Sequence, residues 1–382
     1  MSFTLALPRL SVSGDNAVND VVASLAQQGV KKVLVLTDKI IRGLDGGKLL
    51  FAALEKQKIA FGVFDAIEPN PTTKTVDAAF GVFKQVKPDA IIALGGGSVI
   101  DTGKSVRILS ANPGPISLYA GVHNDLKCGT TLVAISTTSG TAAEVTSNAV
   151  IIDLTRHVKM VIITQANLPD IAVNDPAVLK SMPKSITSST GMDALTHAIE
   201  AYVSTGAHPL TDPTALEAIR TIVAWLPKAC DNGNDMEART KMAHGQFLAG
   251  MAFNSAGLGC VHSLAHQPGA THNLPHGVCN AILLPIVEEF NRPAAVARFA
   301  DIAKAMGVDT SALSQEEASV AAIKAIRDLS KRVGIPENFS VLGVKESDIE
   351  AWIKPALADP CTPGNPRKLT PDDVRALYKA AL

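Results

Sequence analysis

The chain has 382 residues, 47% hydrophobic and 19% charged, with a formal net charge of −1, which is enough for two domains of ordinary size with full apolar cores. The balanced charge, with no basic block and no interleaved aromatics, speaks against a nucleic-acid partner, and no apolar run reaches the length of a membrane span. Five scattered cysteines (Cys128, Cys230, Cys260, Cys279 and Cys361) form no CxxC pair, the pattern of reduced thiols in a cytoplasmic enzyme.

The opening residues 1–8 are too short for a secretory signal, lack a charged start and stop at Pro8, so they read as an edge strand. Helical patterns around 15–28, 46–58 and 73–86 then alternate with apolar, β-branched runs. Lys31–Asp38 and Asp89–Leu94 read as fully buried strands, and Thr131–Ile135 runs into the small polar loop Ser136–Thr141. Ala149–Ile152 and Met160–Ile163 suit a hairpin, and Ile171–Val173 closes the strand-rich part. This alternation predicts a parallel sheet covered by helices on both faces.

Two features of this half point to a dinucleotide. Gly95-Gly96-Gly97-Ser98 follows a buried strand and opens a helix, where glycines admit a phosphate and the helix N-terminus supplies free N–H groups. The segment matches neither the Rossmann nor the Walker A fingerprint, because Ile100 stands where Gly or Ala is wanted and Gly97 and Gly103 are one residue too far apart. A purely structural turn is the competing reading. Asp38 ends an earlier strand, where a carboxylate can bind an adenosine ribose and repel a 2′-phosphate, or simply cap a turn.

From about Pro183 the pattern changes to long helices with no convincing strand. The expected architecture is therefore an α/β, parallel-sheet dinucleotide-binding domain over 1–183 and an all-helical metal-binding and catalytic domain over 184–382. The boundary falls near 180–186, and the catalytic cleft is expected between the halves. In the second half Met192, Leu195, Ile199 and Tyr202 recur at helical period, which sets Asp193 and His197 one turn apart on one face. Four of the nine histidines, His262, His266, His272 and His276, then fall within fifteen residues. His262 and His266 share a helix face. Carboxylate and imidazole without thiolate suit Fe(II), Zn(II), Mn(II) or Ni(II), and spacing does not choose among them.

Together, Gly95-Gly96-Gly97-Ser98-x-x-Asp101, Thr137-Thr138-x-Gly140-Thr141, the segment Gly191–His197 and the histidine cluster resemble the iron-containing (group III) alcohol dehydrogenases. Glu68–Thr72, Val173–Pro176, Ala249–Phe253 and Cys361–Arg367 extend the likeness along essentially the whole chain. It is strongest toward the branch with lactaldehyde reductase and the bacterial ethanol, methanol and L-threonine dehydrogenase-like enzymes.

The resemblance implies a metal held by Asp193, His197, His262 and His276, with His266 near the nicotinamide and substrate. It implies NAD contacts at Asp38, Asn70, Gly97, Ser98, Asp101, Thr137, Thr138, Thr141, Asn148, Val150, Lys159 and Leu179. Phe253 and Cys361 would border the substrate pocket. The chain departs from the family pattern at Ser139, where Ala is common, and at His272, where an aromatic or apolar residue is common. The second departure bears on the pocket or the metal's surroundings, or marks a surface histidine.

The expected activity is hydride transfer between NAD(H) and a small primary alcohol, diol or the matching aldehyde. Fe2+ would act as Lewis acid, with Zn2+ a possible substitute, and His266 as proton relay. A cytoplasmic homodimer or higher homo-oligomer is expected, with no nucleic acid or membrane partner. The alternatives are an enzyme like dehydroquinate synthase or glycerol-1-phosphate dehydrogenase, a metallohydrolase, or a non-catalytic metal protein. The first would need Lys or Arg around the metal helix, and 193–200 carries neither.

Overall fold

The computed structural model describes residues 3–156, 158–180 and 182–382. They form two compact units, one spanning Ala6–Met182 and the other Pro183–Leu382 together with the segment through Leu5.

In the first unit the chain runs β1 (Leu10–Ser13), α1 (Ala17–Gln27), β2 (Lys32–Leu36), α2 (Lys39–Gly43), α3 (Asp45–Lys56), β3 (Ala60–Phe64), α4 (Thr73–Val86), β4 (Ala90–Gly95) and α5 (Gly97–Ala111). There follow β5 (Gly121–Val122), β6 (Thr131–Ser136), β7 (Asn148–Asp153), β8 (Val158–Ile163) and β9 (Ile171–Asn174). Six strands make one parallel sheet in the order β1-β9-β6-β4-β2-β3. Its centre is sealed on both faces: all of β4 is buried, as is β2 beyond Lys32. That is why those strands read as continuous apolar runs rather than alternating ones. Leu34, Leu36, Ile91, Ala93, Leu132 and Ala134 pack with Val99, Ile100 and Val106 of α5 into one core. The smaller sheet orders β5-β8-β7, and β7 and β8 form the expected hairpin, with Val150 opposite Val161.

The edge-strand expectation for residues 1–8 is corrected. Residues 3–8 carry no strand, Met1 and Ser2 lie outside the described residues, and the edge strand is β1, in register with Ile171–Asn174. Pro8 has no N–H to give a ladder, so pairing begins beyond it, with Leu10 N–H bonded to the Asp170 carbonyl. β3, at the opposite edge, is partly exposed along its whole length.

The second unit has no strand among its described residues. Its helices are α6 (Lys184–Val203), α7 (Asp212–Asp231), α8 (Met236–Ala256), α9 (Cys260–Thr271), α10 (His276–Asn291), α11 (Val296–Ala305), α12 (Gln315–Val333), α13 (Ile349–Leu357) and α14 (Pro371–Ala380). α6 is buried almost all round from Thr187 to Val203, so it is the central helix and its polar residues sit in the core. None of the described helices is long and apolar enough to cross a membrane.

Candidate dinucleotide and metal sites

Strand order reverses between β2, which continues to β3 on one side, and β4, which continues to β6 on the other. Ligands of such sheets bind beyond the strand C-termini at that switch point. Asp38 follows β2, the glycine loop follows β4, and the Thr137–Thr141 loop follows β6, with Gly95 in register with Ser136.

Close approach excludes a side chain at Gly95 and crowds one at Gly96 or Gly97. A Cβ at Gly95 would lie 2.5 Å from Val99, one at Gly96 would lie 3.1 Å from the Thr138 methyl, and one at Gly97 would lie 3.0 Å from that of Thr141. Beside this loop the hydroxyls of Thr137, Thr138 and Ser139 are buried with no hydrogen bond to protein. Buried hydroxyls normally find partners. Three unsatisfied ones beside a glycine turn and a helix N-terminus fit the oxygens of a bound phosphate.

Other expected cofactor residues are tied into the same region. Asn70, in the left-handed region at φ 56°, donates its N–H to Ser98 Oγ at 3.3 Å. Asp101 Oδ2 accepts the Val150 N–H at 3.0 Å, and the fully buried Lys104 reaches the Asn148 carbonyl at 2.7 Å and Asp101 at 3.6 Å. These contacts clip α5 to β7. Asp38 spends Oδ1 on the N–H groups of Ile40 and Ile41, both at 2.8 Å, and so caps α2 while Oδ2 makes no part of that cap. Lys159 lies on β8 opposite Ile152. Leu179 is buried in the turn Pro176–Leu179.

In the helical unit Asp193 and His197 project from α6, His262 and His266 from α9, and His276 opens α10. α10 can approach α6 because of Gly277, whose missing Cβ would stand 2.4 Å from the Ser189 carbonyl oxygen and 3.3 Å from Asp193 Cβ. The result is a group of three, Asp193, His262 and His276, whose ligand atoms all lie within 4.8 Å of one another. Asp193 Oδ1 is 3.9 Å from His262 Nε2 and 3.7 Å from His276 Nε2. Burial pushes the Asp193 carboxyl up and the His262 imidazole well down, so His262 stands as the neutral base a cation needs. His197 stands beside this triad. Its ring stacks between Phe253, at 4.3 Å, and His262, at 4.5 Å, and its buried Nδ1 has no hydrogen bond to protein. One carboxylate, imidazoles and an unpartnered buried nitrogen fit a ferrous ion.

Three further groups complete the site. Glu200, one α6 turn beyond His197, accepts from His262 Nδ1 and from the Val261 N–H, the latter at 2.7 Å. Burial raises its carboxyl to about 7. Asn280 Nδ2 donates to Asp193 Oδ1 at 2.7 Å and lies 3.1 Å from both His262 Nε2 and His276 Nε2. Asp359 Oδ2 stands 2.7 Å from His266 Nδ1. Such partners orient ligands and fix tautomers. Glu200 was detectable, since Asp193, His197 and Glu200 fall at i, i+4 and i+7 on one face. His272 is turned to other work: its Nε2 lies 3.3 Å from Asp348 and its ring packs edge-on against Trp352.

The model of the iron-containing alcohol dehydrogenases matches residues 8–176, and that of the C-terminal region of the Fe-containing alcohol dehydrogenase family matches 187–382. The chain belongs to the iron-containing alcohol dehydrogenase family. It is 43% identical to the NAD-dependent methanol dehydrogenase of Bacillus methanolicus, over 98% of this chain and 99% of that one. It is 40% identical to the 1,3-propanediol dehydrogenase of Klebsiella pneumoniae, over 99% and 98% respectively. A crystal structure of a 1,3-propanediol oxidoreductase superposes with a TM-score of 0.98 at 40% identity, covering all of both chains. The expected iron, and the expected hydride transfer between NAD(H) and a small alcohol or aldehyde, are those of this family of oxidoreductases.

Proposed function

We propose that in this iron-containing alcohol dehydrogenase Asp193, His197, His262 and His276 hold the ion and His266 moves the proton. The observation that carries the reading is the convergence of Asp193 Oδ1, His262 Nε2 and His276 Nε2, with Asp193 and His262 buried, beside a His197 ring that stacks on His262 and whose buried Nδ1 has no hydrogen bond to protein. A divalent ion held there would supply Lewis acidity to the carbinol or carbonyl oxygen, and bound NAD(H) would supply the hydride chemistry.

The protein's own part is binding, orientation and proton movement. Glu200 fixes His262 so that Nε2 presents its lone pair. Phe253 stacks on His197 and offers an apolar wall to a short carbon chain, and Cys361, half-buried, borders the same pocket. His266 accepts the carbinol proton at Nε2 during oxidation and returns it during reduction. On the dinucleotide side Gly97, Ser98, Thr137, Thr138 and Thr141 take the phosphates. Asp38 takes the adenosine ribose with its second oxygen, and Asn70, Asp101, Asn148, Val150, Lys159 and Leu179 frame the remainder of NAD. We further infer a cytoplasmic homodimer or higher homo-oligomer. The exposed edge of β1 and the absence of disulfides among the five cysteines support it.

The test is an alcohol and aldehyde panel with NAD(H) on metal-analysed protein. His276→Ala should lose metal and activity together. His266→Ala should keep most of its metal while kcat falls at least about tenfold. Full activity in rigorously metal-free protein would overturn the reading.

A further inference from the structure

We infer that Asp359 is the positioning residue of the proton relay: it holds His266 in the tautomer with Nδ1 protonated and so aims a free Nε2 lone pair at the substrate oxygen. The inference rests on the relay role proposed above for His266. Its geometry lies entirely within the helical unit. Asp359 follows α13, far from α9 in sequence, yet its Oδ2 meets His266 Nδ1 at 2.7 Å. The two side chains are nearly buried, 9% and 11% exposed, so the bond is shielded from water and worth more than a surface pair.

Asp359 is itself held. Its Oδ1 accepts the Cys361 N–H at 2.9 Å, and its carbonyl accepts the Thr362 N–H at 3.1 Å. Thr362 Oγ1 in turn donates to Ser263 Oγ on α9 at 2.9 Å. One carboxylate thus joins the relay histidine to the Cys361 segment of the substrate pocket. An ionised carboxylate only accepts hydrogen bonds, so Nδ1 must donate and Nε2 is left as the base. The ring also stacks on His276, at 5.4 Å and 16°, and meets His262 edge-on at 6.2 Å, contacts that set its plane but not its tautomer. Burial pushes the Asp359 carboxyl up, but the His266 imidazole and the Cys361 N–H outweigh that and leave it below the usual range. It is therefore a standing anion, able also to stabilise the imidazolium formed when the alcohol proton arrives.

Asp359→Asn has nearly the same shape, but its amide can donate to Nδ1 and turn Nε2 into an N–H, which cannot accept a proton. The experiment compares wild type, D359N, D359E, H266A and the double variant H266A/D359N, each checked for metal content and melting temperature. D359N should keep its metal and lose roughly ten- to a thousandfold in kcat with a smaller change in KM, and D359E should recover part of the loss. In the H266A background D359N should cost less than about twofold, because the residue it positions is gone. Histidine 15N spectra of metal-free protein should give His266 the Nδ1-protonated pattern in wild type and lose it in D359N. A multiplicative loss in the double variant, or an unchanged tautomer in D359N, overturns the positioning role alone. Wild-type kcat in H266A overturns the relay reading and this inference with it.

Discussion

Gly277→Ala tests the packing that assembles the metal site without removing any ligand. The added Cβ would stand 2.4 Å from the Ser189 oxygen and 2.8 Å from its carbonyl carbon, both backbone atoms of α6 that no rotamer change can move aside. Ordinary contact is roughly 3.5 Å, so the start of α10 must retreat by about 1 Å. His276 is the first residue of that helix, and its Nε2 is now 3.7 Å from Asp193 Oδ1. Metal–ligand distances tolerate only about 0.2 Å, so a retreat of that size strains one ligand out of the set. The expected loss is at least about ten- to a hundredfold in metal affinity, the size seen when groups that orient ligands are lost. Overpacking should cost about 1–3 kcal/mol in addition. Gly81→Ala on α4 is the control, since its Cβ would meet nothing within 4 Å, and it should be neutral or slightly stabilising. The assay is metal content by mass spectrometry after graded chelator dialysis, alongside thermal unfolding. If Gly277→Ala keeps its metal through the same dialysis and melts with wild type, the close approach of α10 to α6 is not what builds the site.

Metal removal should abolish turnover and leave NADH binding within about twofold, because the ligand group and the glycine loop belong to different compact units; a fluorescence titration of chelated protein checks it, and lost binding refutes it. Asp38→Asn keeps an oxygen to cap α2 but drops the charge facing a 2′-phosphate, so the NADPH/NADH ratio of kcat/KM should rise about ten- to a hundredfold, roughly 1–3 kcal/mol. An unchanged ratio means that Asp38 serves only the cap. Thr138→Val removes a hydroxyl without a protein partner, so the melting temperature of the free protein should hold while NADH affinity falls about tenfold; unaltered affinity places that hydroxyl outside the phosphate site. Glu288, fully buried, has its carboxyl pushed up to about 8 by burial and by Glu200. Unfolded, it ionises near pH 4.5, so between those values folding takes up a proton and stability falls as pH rises, at most by roughly 1.4 kcal/mol per unit. Glu288→Gln should therefore gain on wild type from pH 5 to pH 8, and a constant difference in melting temperature across that range refutes the assignment.

The parts of the molecule legible in the sequence are those set by local rules. β2, β4 and β6 were readable because a central parallel strand needs apolar side chains on both faces, and α4 because its apolar residues recur at helical period; the capping box that Thr72 and Thr75 close at its start emerged only in the structure. Asp193 with His197, and His262 with His266, are one-turn pairs that spacing alone places on one face. The start of the edge strand was not legible, because an edge strand is held by a single neighbour and half its residues face water, so little in its composition fixes where pairing begins. Spacing also put His197 among the ligands without revealing that its ring stacks beside the triad, since a helix position fixes a direction and not a rotamer.

The surrounding sphere divides in the same way. Glu200 and Asn280 each share a helix face with an expected ligand, four residues from His276 in the case of Asn280 and three from His197 in that of Glu200, so period alone nominates them. Asp359 shares no element with His266, from which it is 93 residues distant. What puts it there is the return of the chain after α13, fixed by Thr362 on Ser263 and by Asn365, whose Oδ1 accepts the Cys260 N–H at 3.1 Å and whose Nδ2 donates to Asn291 at 2.7 Å. Those are contacts among small polar residues with no period to betray them. A metal ligand must reach one point in space, and helices deliver such points at regular spacing. A residue that orients a ligand has only to meet a nitrogen from any direction the fold leaves open, and a loop can do that from anywhere in the chain. Asp359, which orients its histidine from such a loop, is therefore a group that only tertiary structure reveals.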